Sequence, residues 1–192
     1  MDIAALVGLG NPGAEHADSR HNAGFLVIDE IARRWRLTSW RSRYRSRVVR
    51  RPGGRPTLLV KPQTFMNASG EALALLCTGE KLEPAQCLVV LDDVELPLGQ
   101  LRLRERGGPG THNGLRSIVD TVGEEFPRLR LGIRGEAPWD DLAEYVLAPF
   151  AADERDAVTG MVRRAADCIE SALRVGIPRA ATQFNQASPV EP

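Results

Sequence analysis

No apolar run in this 192-residue chain approaches the roughly 20 residues that a bilayer-spanning helix needs. The opening residues, MDIAALVGLG, carry Asp2 where a secretory signal has a basic segment. They are expected to form a buried strand in a cytoplasmic protein. Cysteine is scarce: Cys77, Cys87 and Cys168 are odd in number and lack metal-ligand spacing, which excludes a disulfide framework and suits small buried side chains. The three histidines, His16, His21 and His112, form no cluster with them, so a structural zinc site is not expected. There is no GxxxxGK[ST] loop, no serine in a G-x-S-x-G elbow and no cysteine placed as a nucleophile.

Acidic residues are missing from one long stretch. Arg33 to Gly70 contains none, but holds ten arginines and Lys61, whereas Glu136 to Pro192 has ten acids against five bases. The net charge of zero hides this asymmetry. A one-sided block suits a polyanionic partner, and equally a solvated basic face; composition leaves both open.

Short apolar runs alternate with helical periodicity. IAALVGL, CLVVLDD, QLRLRER and RLRLGI read as strands, CLVVLDD with its carboxylates at its C-terminal end. RSRYRSRVVRRPGGRPTLLVKP reads as two strands around a Pro-Gly-Gly turn, with Arg41, Arg43, Arg45 and Arg47 on one face. NAGFLVIDEIARRWRL, NASGEALALLCTG (Ser69 as N-cap), THNGLRSIVDTVG, DLAEYVLAPF and DERDAVTGMVRRAADCIESALRVG read as helices. The alternation predicts one three-layer α/β domain over residues 1–185, with a mixed, mostly parallel twisted sheet and a C-terminal tail at 186–192.

Polar side chains cluster where such a sheet builds sites, at the carboxyl ends of strands. They are Asn11 with His21 and Asn22, then Asn67, then Asp92-Asp93, then His112-Asn113. Each has a structural alternative as a turn residue or helix cap. GLGNPG matches the dinucleotide pattern G-x-G-x-x-G formally, but Pro12 removes an amide donor and the helix starts nine residues too late. A histidine, a carboxylate and several amides suit attack of water on an activated acyl group such as an ester. The imidazole takes the proton, the carboxylate orients it, and the amides meet the oxyanion and the acyl group.

GLGNPG, RHNAGF, KPQTFMNASG, LDDVELPLG, GTHNGLRSI, FPRLRLGI and YVLAPF, in this order and spacing, resemble the bacterial peptidyl-tRNA hydrolase family. The resemblance implies a monomeric, metal- and cofactor-independent enzyme that cleaves the ester joining a peptide to the 3′-terminal ribose of tRNA. It implies that His21 is the base, Asp92 its orienting carboxylate, and Asn11 an amide near the scissile carbonyl. Asn67 and Asn113 would bind the peptide backbone and help hold the water; Met66 would wall the peptide groove. Arg102, Arg104 and Arg130 would face tRNA. His16 stands where the family has tyrosine, near the tRNA 3′ end; Thr111 and Arg134 each replace a glycine. Two other readings stay open: a non-catalytic RNA-binding relative, and a mononucleotide-binding module using GLGNPG.

Overall fold

The computed structural model describes residues 2–53, 57–136 and 138–186. Seven strands form one sheet: β1 (Ala5–Gly8), β2 (Arg41–Arg43), β3 (Ser46–Arg50), β4 (Leu58–Pro62), β5 (Cys87–Pro97), β6 (Leu101–Arg104) and β7 (Arg128–Arg134). Their order is β2-β3-β4-β1-β5-β7-β6. The four central strands are parallel, while β2, β3 and β6 join antiparallel at the edges. Six helices are described: α1 (Ala23–Arg34), α2 (Ser69–Glu80), α3 (Asn113–Val122), α4 (Leu142–Leu147), α5 (Arg155–Val175) and α6 (Ile177–Phe184).

The sheet is buried on both faces, as its central sequences require. On β1, Leu6 joins a core with α1, α5 and α6, while Ala5 and Val7 join a second core with α2 and α3. Helix α5 shows how the layers are made: Val158, Met161, Ala165, Cys168, Ile169 and Ala172 recur at helical spacing and are all buried. Each large one contributes roughly 1.5–3 kcal/mol on burial. All three cysteines are buried thiols. No helix among the described residues is long and apolar enough to cross a membrane.

Five details depart from the pattern-based reading. The arginine segment makes three strands, because Tyr44 and Arg45 both have positive φ (55° and 49°) and form a two-residue hairpin turn. Arg45 therefore leaves the strand, and the turn pairs Arg47 with Ser42, on the opposite face from Arg41 and Arg43. The four arginines do not share a face. Part of the expected Pro-Gly-Gly turn, from Gly54, lies outside the described residues, as do 187–192 of the expected tail. The one-sided charge of this block is met in part by acids from two helices. Arg43 and Arg50 reach Glu80, Arg45 reaches Glu71, and Lys61 reaches Asp29.

Strand β5 does not stop at Asp92-Asp93 but runs on to Pro97, with a register shift against β7 after Asp93. Ser69 is the first helical residue of α2 rather than its cap; its hydroxyl donates back to the Met66 carbonyl at 2.7 Å. DLAEYVLAPF contracts to α4, whose cap is Asp141, accepting from the Ala143 and Glu144 amides. After Val175 the chain turns at Gly176 (φ 87°) and starts α6, with Pro178 in its first turn. The Gly-Ile-Pro signal for that stop and restart is present in the sequence.

Candidate active site

β1 delivers the chain to the carboxyl edge of the sheet, and the glycines of GLGNPG let it turn against α1. A Cβ on Gly10 would lie 2.8 Å from the Phe25 ring and 2.9 Å from Asn22 Oδ1. Two of the loop's amides are spent internally. Leu9 N–H donates to the Val90 carbonyl at 2.8 Å, Asn11 N–H donates to Asn22 Oδ1 at 2.7 Å, and Pro12 has none to give. A phosphate cradle needs those donors free, so the dinucleotide match is formal only. Asn22 completes the pair by donating Nδ2 to the Asn11 carbonyl at 3.1 Å. Its amide is occupied in shaping the loop.

Asn11 is presented by this arrangement with a defined orientation. Its Oδ1 accepts from Met66 N–H at 2.8 Å, so the group it offers to the cleft is an N–H donor. Residues Arg20–Asn22 form a single 3-10 turn before α1, which holds His21 buried at the cleft wall. His21 Nδ1 lies 2.9 Å from both oxygens of Asp92, and His112 Nε2 lies 3.0 Å from Asp92 Oδ1. The hydrogen-bond partners fix the tautomers. His112 caps α3, its Nδ1 accepting from Leu115 N–H at 3.1 Å. Its proton must therefore sit on Nε2 and point at Asp92. His21 also gives its Nδ1 proton to Asp92, which leaves the Nε2 lone pair for the cleft.

Asp92 is the most buried member, at 2% exposure. Burial alone works to raise its pKa, but the electrostatic pull and hydrogen bonds of His112 and His21 overcome this and hold it well below the usual carboxylate range. Asp93 is differently employed: Oδ1 accepts from Glu95 N–H at 2.9 Å and Oδ2 from Arg130 Nη1 at 3.1 Å. Among the described residues, His21, Asp92 and His112 are the one group close enough to hold a cation. Their facing nitrogens are each protonated toward the carboxylate at hydrogen-bond distance.

These groups line a cleft of about 440 Å³. Asn67, from the turn after β4, and Asn113, at the start of α3, both line it and are exposed. Their walls are joined where α2 crosses α3: Gly70 N–H donates to Ser117 Oγ at 3.0 Å, and a Cβ at Gly70 would collide with the Ser117 carbonyl. Met66 lies buried in the cleft wall, and Phe65, Leu142 and Leu147 stand exposed around it. His16 is placed elsewhere. It ends the turn Ala14–His16, with its ring 3.9 Å from the Glu15 carboxylate, and is not among the described residues lining the cleft.

Strands β6 and β7 bring four arginines into register, Arg102 opposite Arg130 and Arg104 opposite Arg128. Like charges in such pairs repel, and two of the four are compensated. Arg128 is buried, donates to the carbonyls of Phe126, Gly107 and Glu124, and stacks on Phe126. Burial, and then the Arg130 charge, lower its pKa to about 10. Arg130 joins Asp93 and the Gly108 carbonyl. Arg102 remains half-buried and Arg104 exposed. The residue that sequence reasoning undervalued is His112. By spacing it forms a polar pair with Asn113 at a helix start, but its bond to Asp92 depends on a contact across 20 residues that no local spacing shows.

The family model described as "Peptidyl-tRNA hydrolase" matches residues 5–191. A relative of that name from Chloroflexus aurantiacus is 47% identical over 184 residues, covering 94% of this chain and 97% of the relative. One from Aquifex aeolicus is 41% identical over 188 residues, covering 97% and 98%. The crystal structure of peptidyl-tRNA hydrolase from Acinetobacter baumannii superposes with a TM-score of 0.88 at 31% identity, covering 97% of this chain and 96% of that one. Together with a buried His-Asp-His chain opening on an amide-lined cleft, these matches show that the chain belongs to the peptidyl-tRNA hydrolase family.

Proposed function

We propose that this protein hydrolyses the ester between a peptide and the 3′-terminal ribose of tRNA, releasing tRNA and the peptide, as a cytoplasmic monomer. The observation that carries this reading is the tautomer chain His112–Asp92–His21, which leaves one imidazole lone pair facing the cleft beside the Asn11 amide.

His21 Nε2 takes a proton from water as the oxygen attacks the ester carbonyl. Asp92 stabilises the imidazolium that forms, and His112 keeps Asp92 charged and oriented. Asn11 Nδ2 donates to the developing oxyanion. The proton then passes from His21 to the departing ribose oxygen, so no covalent acyl-enzyme is needed. Asn67 and Asn113 read the peptide backbone, which presents the same donors and acceptors whatever its sequence. Met66, with the exposed Phe65 and Leu147, receives apolar side chains. Arg102, Arg104 and Arg130 meet phosphates, and His16, which is not among the cleft-lining residues described, meets the tRNA 3′ end.

The direct test compares release of tRNA from N-acetyl-aminoacyl-tRNA and from aminoacyl-tRNA, with a chelator present. Rapid release from the first and little from the second is expected; no release from either refutes the reading. Asn11→Asp separates the two roles of Asn11. It keeps the acceptor for Met66 N–H but removes the donor, and kcat should fall about 10²–10³-fold with the melting temperature little changed. The Arg102→Ala/Arg104→Ala variant should bind tRNA with a salt slope shallower by about two units in log–log form. A wild-type slope would take both arginines off the tRNA path.

A further inference from the structure

Arg20 precedes the candidate base, yet the chemistry above makes no use of it. Its guanidinium is inside the protein, at 7% side-chain exposure. Nη2 donates to Glu154 Oε2 at 2.6 Å, and Nη1 donates to Glu154 Oε1 at 3.1 Å and to the Ile133 carbonyl at 3.3 Å. The Tyr145 and Phe150 ring centroids lie 4.4 and 4.9 Å from its central carbon. The Tyr145 hydroxyl donates to the same Ile133 carbonyl at 2.8 Å and accepts from Gly135 N–H at 2.9 Å. The main chain adds two links: Arg20 N–H donates to the Ala148 carbonyl at 3.0 Å, and Ser19 bridges Pro149. Glu154 Oε2 also accepts from Ala151 N–H at 2.7 Å. One guanidinium thus ties the turn carrying His21 to the end of β7 and to both sides of the segment after α4.

The placement of α4 depends on this knot. The helix has six residues, too few to persist alone, and none of them is buried. Core packing holds it only through the half-buried Tyr145 and Val146. Yet Leu142, Ala143, Val146 and Leu147 all line the cleft that His21 also lines. A wall so lightly packed needs another anchor, and the chain leaving it is wrapped around Arg20.

We propose that Arg20 and Glu154 are positioning residues, which set the spacing between His21 and the α4 wall so that the acyl group and the attacking water meet in register. The inference rests on the hydrolase reading of the cleft. Misplacement by about 1 Å can cost roughly a hundredfold in rate, so a bidentate, ring-sandwiched guanidinium suits this task. A lysine would not, since it lacks the planar fork.

The test uses two variants. Glu154→Gln removes the charge pairing. The Arg20→Leu/Glu154→Met variant removes both charges at similar volume, which in buried ion pairs often preserves folding. Hydrogen exchange should accelerate about tenfold or more in residues 19–22 and 142–149 together, with β1 and β5 unchanged. In the folded variants kcat should fall about 10–100-fold, and KM should rise further for an acyl group bulky enough to reach α4 than for N-acetyl-glycyl-tRNA. Glu154→Asp should recover part of both losses. Wild-type kcat and KM in a folded variant overturn the proposal, and so does a loss equal for both substrates with unchanged exchange at 142–149. If the wild-type protein releases no tRNA, the hydrolase reading falls by itself, and the paired exchange response still decides whether the clamp joins the two segments.

Discussion

Replacing His21 with alanine is expected to lower turnover by roughly two to four powers of ten, the usual scale for loss of a positioned general base. The geometry makes this loss specific to the chemical step. His21 Nδ1 is committed to Asp92 and its other nitrogen faces the cleft, so the side chain meets the attacking water rather than the peptide or tRNA. KM should change little, and affinity for product tRNA less. Residual hydrolysis should persist, because the Asn11 donor and the amides of the cleft remain. Asp92 would keep His112 but lose one of the two imidazoles that hold its pKa down, so that pKa should rise. Single-turnover hydrolysis of N-acetyl-aminoacyl-tRNA, read beside a thermal melt, checks the prediction. Turnover at the wild-type level in a folded variant removes His21 from the chemistry.

The sequence made the layers and most of the cleft legible because the relevant signals are local. Apolar runs such as LVVL are too short for helices and too continuous for one-sided strands, and they became the buried parallel strands. Asn11, Asn67 and Asn113 stand at a strand end or helix starts, where this topology gathers side chains, and Asp92 stands just before the register shift of β5; all four line one cleft. What failed needed information about space. The four alternating arginines satisfy a strand pattern, but Tyr44 and Arg45 accept positive φ and break it into a hairpin. Neither is a residue that marks such a turn. The basic block leaves a polyanionic partner and a solvated face both open, and its partial pairing with Glu71 and Glu80 of a distant helix is a contact that composition does not show. His112 and Arg20 were unremarkable by spacing, since their partners Asp92 and Glu154 lie 20 and 134 residues away.

Asp92→Asn should slow hydrolysis by about three to four powers of ten, close to what the same change does to a serine-protease triad through the wrong histidine tautomer. Here the tautomer can be followed atom by atom. Asparagine offers one acceptor oxygen where aspartate offers two, and adds an N–H pair. His112 cannot surrender its Nε2 proton, because its Nδ1 must accept from Leu115 N–H. It therefore claims the oxygen. The new NH₂, at the Oδ2 position, then faces His21 Nδ1, which turns acceptor, so the His21 proton moves to Nε2 and occupies the lone pair that activates water. Affinity for tRNA should be preserved, since Asp92 is buried and reaches only the two histidines in the described contacts. Removing His112 in this background should free the asparagine oxygen to turn toward His21. Asp92→Asn/His112→Ala should thus be faster than Asp92→Asn alone, despite the lost helix cap. A double variant no faster than the single one would refute the tautomer account, and loss of tRNA affinity in Asp92→Asn would place Asp92 in binding.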